Sequence, residues 1–464
     1  MSSTNPLPSP PASFPDDAGV SAASCVAADA PPSAASTPPS APASLTPPSA
    51  TAAPGDAPAE AGSARRTFDA RLLERLARFA GDAPLEFRIG DRVRALTPGA
   101  QAQGSTVATV RLRDRGTLLG ILADPALGFG DAYADGRAEI DGDLVTFLEA
   151  MYRAVPDGGT SRGFPPRTAR WLERPRRHTL KSARDNIWHH YDIGNAFYAL
   201  WLGPTMAYTC AYYPTPSATL DEAQVAKFDH VCRKLWLQRG ETVIEAGCGW
   251  GGLALHMARH YGVKVRAFNI SREQLAFARE RARAAGLDGQ VEFIEDDYRN
   301  ITGRCDAFVS VGMLEHVGVA NYAEFGGVIA RCLAPQGRGL VHSIGRNRPA
   351  RLHPWIEKRI FPGAQPPALS EFMRIFEPYD LSVVDVENLR LHYARTLTDW
   401  KAMYDAAEDR VLSMFDARFV RMWRLYLAGS IAGFTTGSLQ LFQVLFTPRY
   451  SNDLPQTRAH LYGG

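Results

Sequence analysis

The chain contains no apolar run approaching the roughly 20 residues that span a bilayer, so a helical membrane anchor is not expected. Its first residues lack both a basic start and an apolar stretch, and do not read as a secretory signal. Only six cysteines occur in 464 residues, at Cys25, Cys210, Cys232, Cys248, Cys305 and Cys332. Their spacing fits no metal site, so no metal is expected; they suggest reduced thiols in a cytoplasmic protein. An excess of one charge is also missing. Lys and Arg number 51 against 49 Asp and Glu, and the net charge of +2 decides little. With 45% hydrophobic and 22% charged residues, the composition is that of a globular chain long enough for two domains and a disordered segment.

Residues 243–252 hold the strongest local signal. Thr242, Val243 and Ile244 form a β-branched run, as in a buried parallel strand. Glu245 stands at its end, where its carboxylate is free to accept from a polar ligand group. Gly247, Gly249 and Gly251 then permit a sharp turn and close approach of backbone to ligand. Leu253, Leu255, Met257 and Ala258 open a helix. Strand, glycine turn and helix predict a nucleotide-type crevice at the carboxyl end of a parallel sheet. The Lys and Ser or Thr of a phosphate-binding loop are missing. So is the Gly-x-Gly-x-x-Gly spacing of a dinucleotide fingerprint, since Gly251 falls one residue early. The plain alternative is a structural turn.

Four segments are expected. Residues 1–64, rich in Pro, Ala, Ser and Thr, have little to bury and read as disordered. Residues 65–160 form a small α+β domain. It opens with an amphipathic helix over Arg65–Ala80, whose stripe is Phe68, Leu72, Leu76 and Phe79. That helix packs on the domain or lies on an anionic membrane. Strand-like alternation follows at 106–111. A glycine-punctuated turn region spans 128–136, and a helix capped by Asp143 runs to Tyr152. Residues 161–186 form a basic linker. Within 162–184, eight cations (Arg162, Arg167, Arg170, Arg174, Arg176, Arg177, Lys181 and Arg184) face one acid, Glu173. A solvated charge run and attraction to phospholipid head groups both account for it. No nucleic-acid module accompanies these charges, so nucleic acid is not an expected partner.

Residues 187–464 form the fourth and largest segment. Strands are expected at Thr242–Glu245, Val263–Asn269, Val291–Glu295, Ala307–Val311 and Gly339–Ile344. Helices are expected at Leu253–Tyr261, Arg272–Ala285 and Tyr322–Leu333. This alternation predicts a doubly wound α/β sheet. The part beyond about residue 350 reads as helical and aromatic.

The E-x-G-x-G-x-G turn resembles the first motif of S-adenosylmethionine (SAM) methyltransferases. Further segments read with it as a set. They are His190–Tyr198, Tyr208–Tyr213, Gly312–Gly318, His342–Gly345, Trp355–Gly363 and Tyr393–Leu397. In this order and spacing they resemble the cyclopropane-fatty-acyl-phospholipid synthase family, whose superfamily includes the mycolic acid cyclopropane synthases. The resemblance spans about 187–450. Residues 85–150, with Gly-Phe-Gly-Asp-Ala-Tyr and Asp-Gly, resemble less specifically the smaller N-terminal domain of the bacterial phospholipid enzymes.

The resemblance implies a Rossmann-like SAM-dependent methyltransferase domain with helical C-terminal insertions and a small α+β N-terminal domain. It implies SAM contacts from Tyr208, Thr209, Gly247 and Gly249. Asn269 and Gln274 would lie near the ribose and methionine portion, and Asp296, Asp297 and Tyr298 near the adenine. Cys210, Glu315, His342, Ile344 (through its backbone) and Tyr393 match the positions that hold a bicarbonate ion, the base of the family's reaction. Two departures stand out. Asn269 replaces the usual Thr, and Ala394 replaces the Asp that usually follows the tyrosine.

The implied reaction transfers a methylene from SAM to the cis double bond of an unsaturated phospholipid acyl chain, at the inner face of the membrane. The alternatives are a fatty-acyl C-methyltransferase giving methyl-branched or methylenated chains, methylation of small amines, and a non-catalytic lipid-binding protein. Cys232, Cys305 and Cys332 read as packing. The lipid head group and the choice between monomer and homodimer stay open.

Overall fold

Alternating short β-branched runs and capped helices fold the larger, C-terminal part of the chain into one large sheet with helices on its faces. The computed structural model describes residues 59–91, 93–155 and 193–462, with backbone alone over 59–67. Residues 1–58, the basic linker 161–186 and the His190–Asp192 part of the first motif lie outside the described residues. Pro58–Gly464 forms one compact unit.

The smaller sheet comprises β1 (Leu85–Ile89), β2 (Val93–Leu96), β3 (Ala108–Leu112) and β4 (Ala138–Asp141), in the order β2-β1-β3-β4. The helix Ala59–Phe79 packs on it through Leu73, Leu76 and Ala77, all buried, while Phe68 is exposed. It starts at Ala59 rather than Arg65, so the last residues of the segment expected to be disordered are helical. The Asp143 cap is present: its carboxylate accepts from Thr146 N–H at the start of Leu144–Ala154.

The glycine-punctuated region proves to be a helix, Pro125–Ala134, with the turn confined to its end at Gly136. Asp124 caps it and Pro125 starts it. Its glycines serve approach rather than turning. A Cβ on Gly128 would sit 2.8 Å from the Gly120 carbonyl oxygen, and one on Gly130 would sit 2.4 Å from the Trp355 indole. Beside it Asp131 accepts from Trp355 Nε1 at 3.1 Å and from Arg359 at 2.6 Å, joining the small sheet's helices to the helix Pro354–Arg359.

The larger sheet has seven strands: β5 (Thr242–Ala246), β6 (Lys264–Asn269), β7 (Val291–Glu295), β8 (Cys305–Val311), β9 (Leu333–Gly345), β10 (Leu381–Asn388) and β11 (Gln440–Pro448). Their order is β10-β11-β9-β8-β5-β6-β7, and β11 alone runs antiparallel to its neighbours. The first five strands stand where the periodicity predicts them. The expected helices appear as Gly252–His256 with a π turn over Met257–Tyr261, Arg272–Ala284 capped by Ser271, and Tyr322–Cys332. The C-terminal part, expected to be helical, contributes β10 and β11 as well. Strand order reverses beside β5, so the crevice at that switch point lies over the glycine turn.

Candidate active site

Gly247, Gly249 and Gly251 have φ of +85°, +54° and +79°, in the region that favours glycine. The turn is anchored from below, because the N–H groups of Gly247 and Cys248 both donate to the Phe268 carbonyl at the end of β6. Asn269 braces it from the side. Its amide donates to Gly249 O at 3.2 Å and to Gln274 Oε1 at 2.8 Å. The residue that departs from the family pattern is therefore part of the turn's support. A cavity opens above, lined by Tyr208, Thr209, Glu245, Gly247, Gly249, Asn269 and Gln274, with Trp250, Met313 and His316 closing it. Seven of the expected cofactor residues thus share one wall system.

Asp296, Asp297 and Tyr298 do not line this cavity. Asp297 caps a 3-10 turn at Tyr298–Asn300 and pairs with Arg299 at 3.1 Å. Asp296 accepts from Asp297 N–H and Asn300 Nδ2, each at 2.7 Å. The Tyr298 ring packs on Phe325. Local bonding occupies both carboxylates.

The segment 207–213 that carries Tyr208, Thr209 and Cys210 has no regular structure and is pinned by two helices. From Leu220–Lys234, begun by a Thr219/Glu222 capping box, Gln224 donates to the Ala207 and Thr209 carbonyls and Lys227 donates to Thr209 Oγ1 at 2.7 Å. From Arg390–Ala406, Thr396 Oγ1 accepts from Ala211 N–H and His392 Nδ1 accepts from Tyr213 N–H. Cys210 is fully buried, its thiol directed to the Ala211 carbonyl at 3.1 Å, and burial pushes that thiol well up.

The proposed base-holding residues lie around the β8–β9–β11 ends. Glu315, 6% exposed, follows β8; its Oε1 accepts from Ile344 N–H at 2.6 Å and its Oε2 has no donor among the described residues. Burial pushes this carboxyl up to about 7. The Ile344 N–H is thereby committed to Glu315, so Ile344 reaches the site through that carboxylate. His342 stands in β9 directly opposite Gln443 of β11, whose amide meets His342 Nδ1 at 3.1 Å. Burial holds the imidazole well below its ordinary value, hence neutral. Tyr393, on Arg390–Ala406, packs against Trp400 and Phe434, and its N–H donates to the Leu389 carbonyl toward which Cys210 Sγ also points, at 3.9 Å. Leu389 N–H in turn donates to Leu441, the register partner of Ile344. Backbone contacts thus link Tyr393 to Ile344, with the Cys210 thiol and the Glu315 carboxylate attached at either end through their side chains.

Sequence reasoning missed Gln443, because it sits on a strand that was not expected. It also missed Lys227, which lines the cavity at 1% exposure. A signal existed: Ala223, Lys227 and Val231 fall at i, i+4 and i+8, which puts a lysine in the apolar stripe of its helix.

An aromatic cluster abuts this cavity. Tyr208 lies 5.2 Å from Trp201 and 5.4 Å from Trp400, and its hydroxyl meets that of Tyr426 at 2.8 Å. Trp201, Trp400 and Trp423 are all buried.

Residues 178–444 match the family model described as mycolic acid cyclopropane synthetase. The chain is 38% identical over 357 residues to a probable fatty acid methyltransferase of Pseudomonas putida, covering 74% of this chain and 89% of that one. It is 35% identical over 365 residues to the cyclopropane-fatty-acyl-phospholipid synthase of Escherichia coli K12, covering 78% and 93%. Among solved structures, the mycolic acid cyclopropane synthase CmaA1 complexed with SAH and CTAB superposes with a TM-score of 0.54 at 28% identity, over 57% of this chain and 97% of that one. The cyclopropane synthase MmaA2 of Mycobacterium tuberculosis gives the same TM-score of 0.54 at 27% identity, again over 57% and 97%. The chain belongs to the mycolic acid cyclopropane synthetase family and is a SAM-dependent methyltransferase.

Proposed function

We propose that this enzyme transfers a methylene from SAM to the cis double bond of an unsaturated phospholipid acyl chain, giving a cyclopropane fatty acyl phospholipid and S-adenosylhomocysteine. The observation that carries the reading is the buried Glu315 carboxyl with one oxygen held by Ile344 and the other without a donor. That arrangement suits a small oxyanion bearing an O–H, such as bicarbonate.

SAM supplies an electrophilic methyl group when bound. An isolated alkene is a weak nucleophile, so the site has to hold it in line with that methyl and exclude water. Tyr208 suits both tasks, because it lines the cavity and forms the edge of the aromatic cluster. Ring faces also stabilise the positive charge that develops on the acyl chain. Loss of a proton from the added methyl then closes the ring. A bicarbonate ion held there would supply the base. Glu315 Oε2 would accept its O–H, and Tyr393 and the neutral His342 would donate to its oxygens. The Cys210 thiol, kept protonated by burial, would add a weak donor on turning from the Ala211 carbonyl. The catalytic unit is 187–464, preceded by a lipid-facing 65–160 domain and the basic linker 161–186, which would hold the enzyme peripherally against an anionic membrane face.

Mass spectrometry of lipids from cells expressing the chain tests this reading. A gain of one CH2 with loss of the alkene is expected; a methyl branch or a methylenated chain overturns ring closure.

A further inference from the structure

Lys227 is used by none of the steps above, yet it is among the most deeply buried side chains in the molecule. It enters the cavity from the helix Leu220–Lys234 at 1% exposure. Its ammonium carries three donors. Among the described residues the acceptor it reaches is Thr209 Oγ1 at 2.7 Å; the Phe228 ring lies 4.4 Å away, and Cys210 and Glu245 stand near enough to act on its charge without bonding to it. No ion pair joins it to a carboxylate among the described residues. Tethering Thr209 alone would need only a neutral donor, whereas burying a full charge without a counter-charge is costly.

Glu245 lines the same cavity from the end of β5, 2% exposed, and its Oε2 has no donor among the described residues. The cavity therefore presents one buried cation and one buried acid that are not bonded to each other. A ligand group carrying both charges completes them. The amino-acid end of SAM is such a group, with a carboxylate and an α-ammonium on one carbon.

We propose that Lys227 binds the carboxylate of SAM, opposite Glu245 on the α-ammonium, so that the methionine end is read as a zwitterion between Thr209 and the end of β5. The assignment rests on SAM occupying this cavity. It also orients the cofactor, with its ribose toward Asn269 and Gln274 at the end of β6. Charge neutrality is kept on both sides, because the protein pair and the ligand group each sum to zero. A charge-assisted pair in a dry site is the strong kind of hydrogen bond.

Calorimetric titration of the full chain tests this with two ligands. S-adenosylhomocysteine carries the amino-acid end; 5′-methylthioadenosine keeps the nucleoside and sulfur and lacks it. Lys227→Met is expected to weaken the first by at least about tenfold and to leave the second within about twofold. Equal losses for both ligands, or none, overturn the assignment. A parent that binds neither ligand overturns the cofactor site along with it, and this distinguishes the two failures. A measurement on the unsubstituted protein needs no variant to fold: decarboxylated SAM, which keeps the ammonium and lacks the carboxylate, is expected to bind at least about tenfold more weakly than SAM. Equal affinities overturn the role of Lys227.

Discussion

The Ile344 N–H donates to Glu315 Oε1 at 2.6 Å, which ties the turn after β8 to the end of β9 and leaves Glu315 Oε2 as a buried acceptor. One carboxylate thus spans two strands and keeps a buried oxygen. Its proton has consequences for stability as well as for chemistry. Burial raises Glu315 from the ordinary 4.5 to about 7, so the folded chain holds this proton more tightly than the unfolded chain does. The stabilisation is complete below pH 4.5 and is lost as pH rises through about 7. Glu315→Gln is neutral throughout and keeps an oxygen for Ile344. Urea unfolding at pH 5 and at pH 7.5 should show a smaller loss of stability with pH in the variant than in the parent. Identical slopes would show that Glu315 is ionised already at the lower pH. Activity should fall by roughly a hundredfold or more, because an amide N–H then faces the position where an acceptor is needed.

Cys210 should behave differently. Its buried thiol is held protonated and points at a carbonyl, so no thiolate takes part. Cys210→Ser keeps a donor and should retain about a tenth of the activity or more. Stripping dissolved carbonate from the assay should slow the parent, and adding it back should restore the rate. A serine variant as inactive as Glu315→Gln, or a rate indifferent to carbonate, counts against a bicarbonate base.

Gly130→Ala tests the joint between the small sheet's helices and the catalytic part. The new methyl would meet the Trp355 indole at 2.4–2.7 Å, and that ring is itself held by Asp131. Overpacking should outweigh the helix propensity gained, with a net loss of about 1–3 kcal/mol. Thermal denaturation reads it as a lowered Tm; an unchanged or higher Tm shows that Trp355 moves aside freely.

The basic linker gives a prediction from charge alone. Replacing Arg174, Arg176 and Arg177 with Gln should weaken binding to anionic vesicles, most at low salt, since exposed charges are screened beyond about 10 Å at 0.1 M. Sedimentation with vesicles measures it. Equal binding of variant and parent at low salt removes the linker from membrane capture.

Much of the site was legible in the chain because its signals are local. Three glycines at alternate positions after a β-branched run require a turn that only glycine adopts easily, and β5, β6 and β7 follow from short apolar runs between helical periods. The C-terminal strands were not legible. Gln440–Pro448 is almost continuously buried, and an apolar run of that length has no period that separates strand from buried helix. With β11 went Gln443, which orients His342. The 128–136 region misled because glycine marks close packing as readily as it marks a turn, and the indole that Gly130 admits lies in a distant part of the chain.

By itself the sequence determined the glycine turn, the alternation of strands and helices, and the family through the order and spacing of its motifs, all of which depend on neighbours along the chain. Tertiary structure alone decided that Ile344 serves Glu315, that Asp296 and Asp297 bond locally rather than line the cavity, and that Lys227 and Glu245 face one space without a bond between them. Those outcomes depend on burial and on which distant groups meet, since a charge removed from water needs a partner and only the folded chain determines which partner lies within reach.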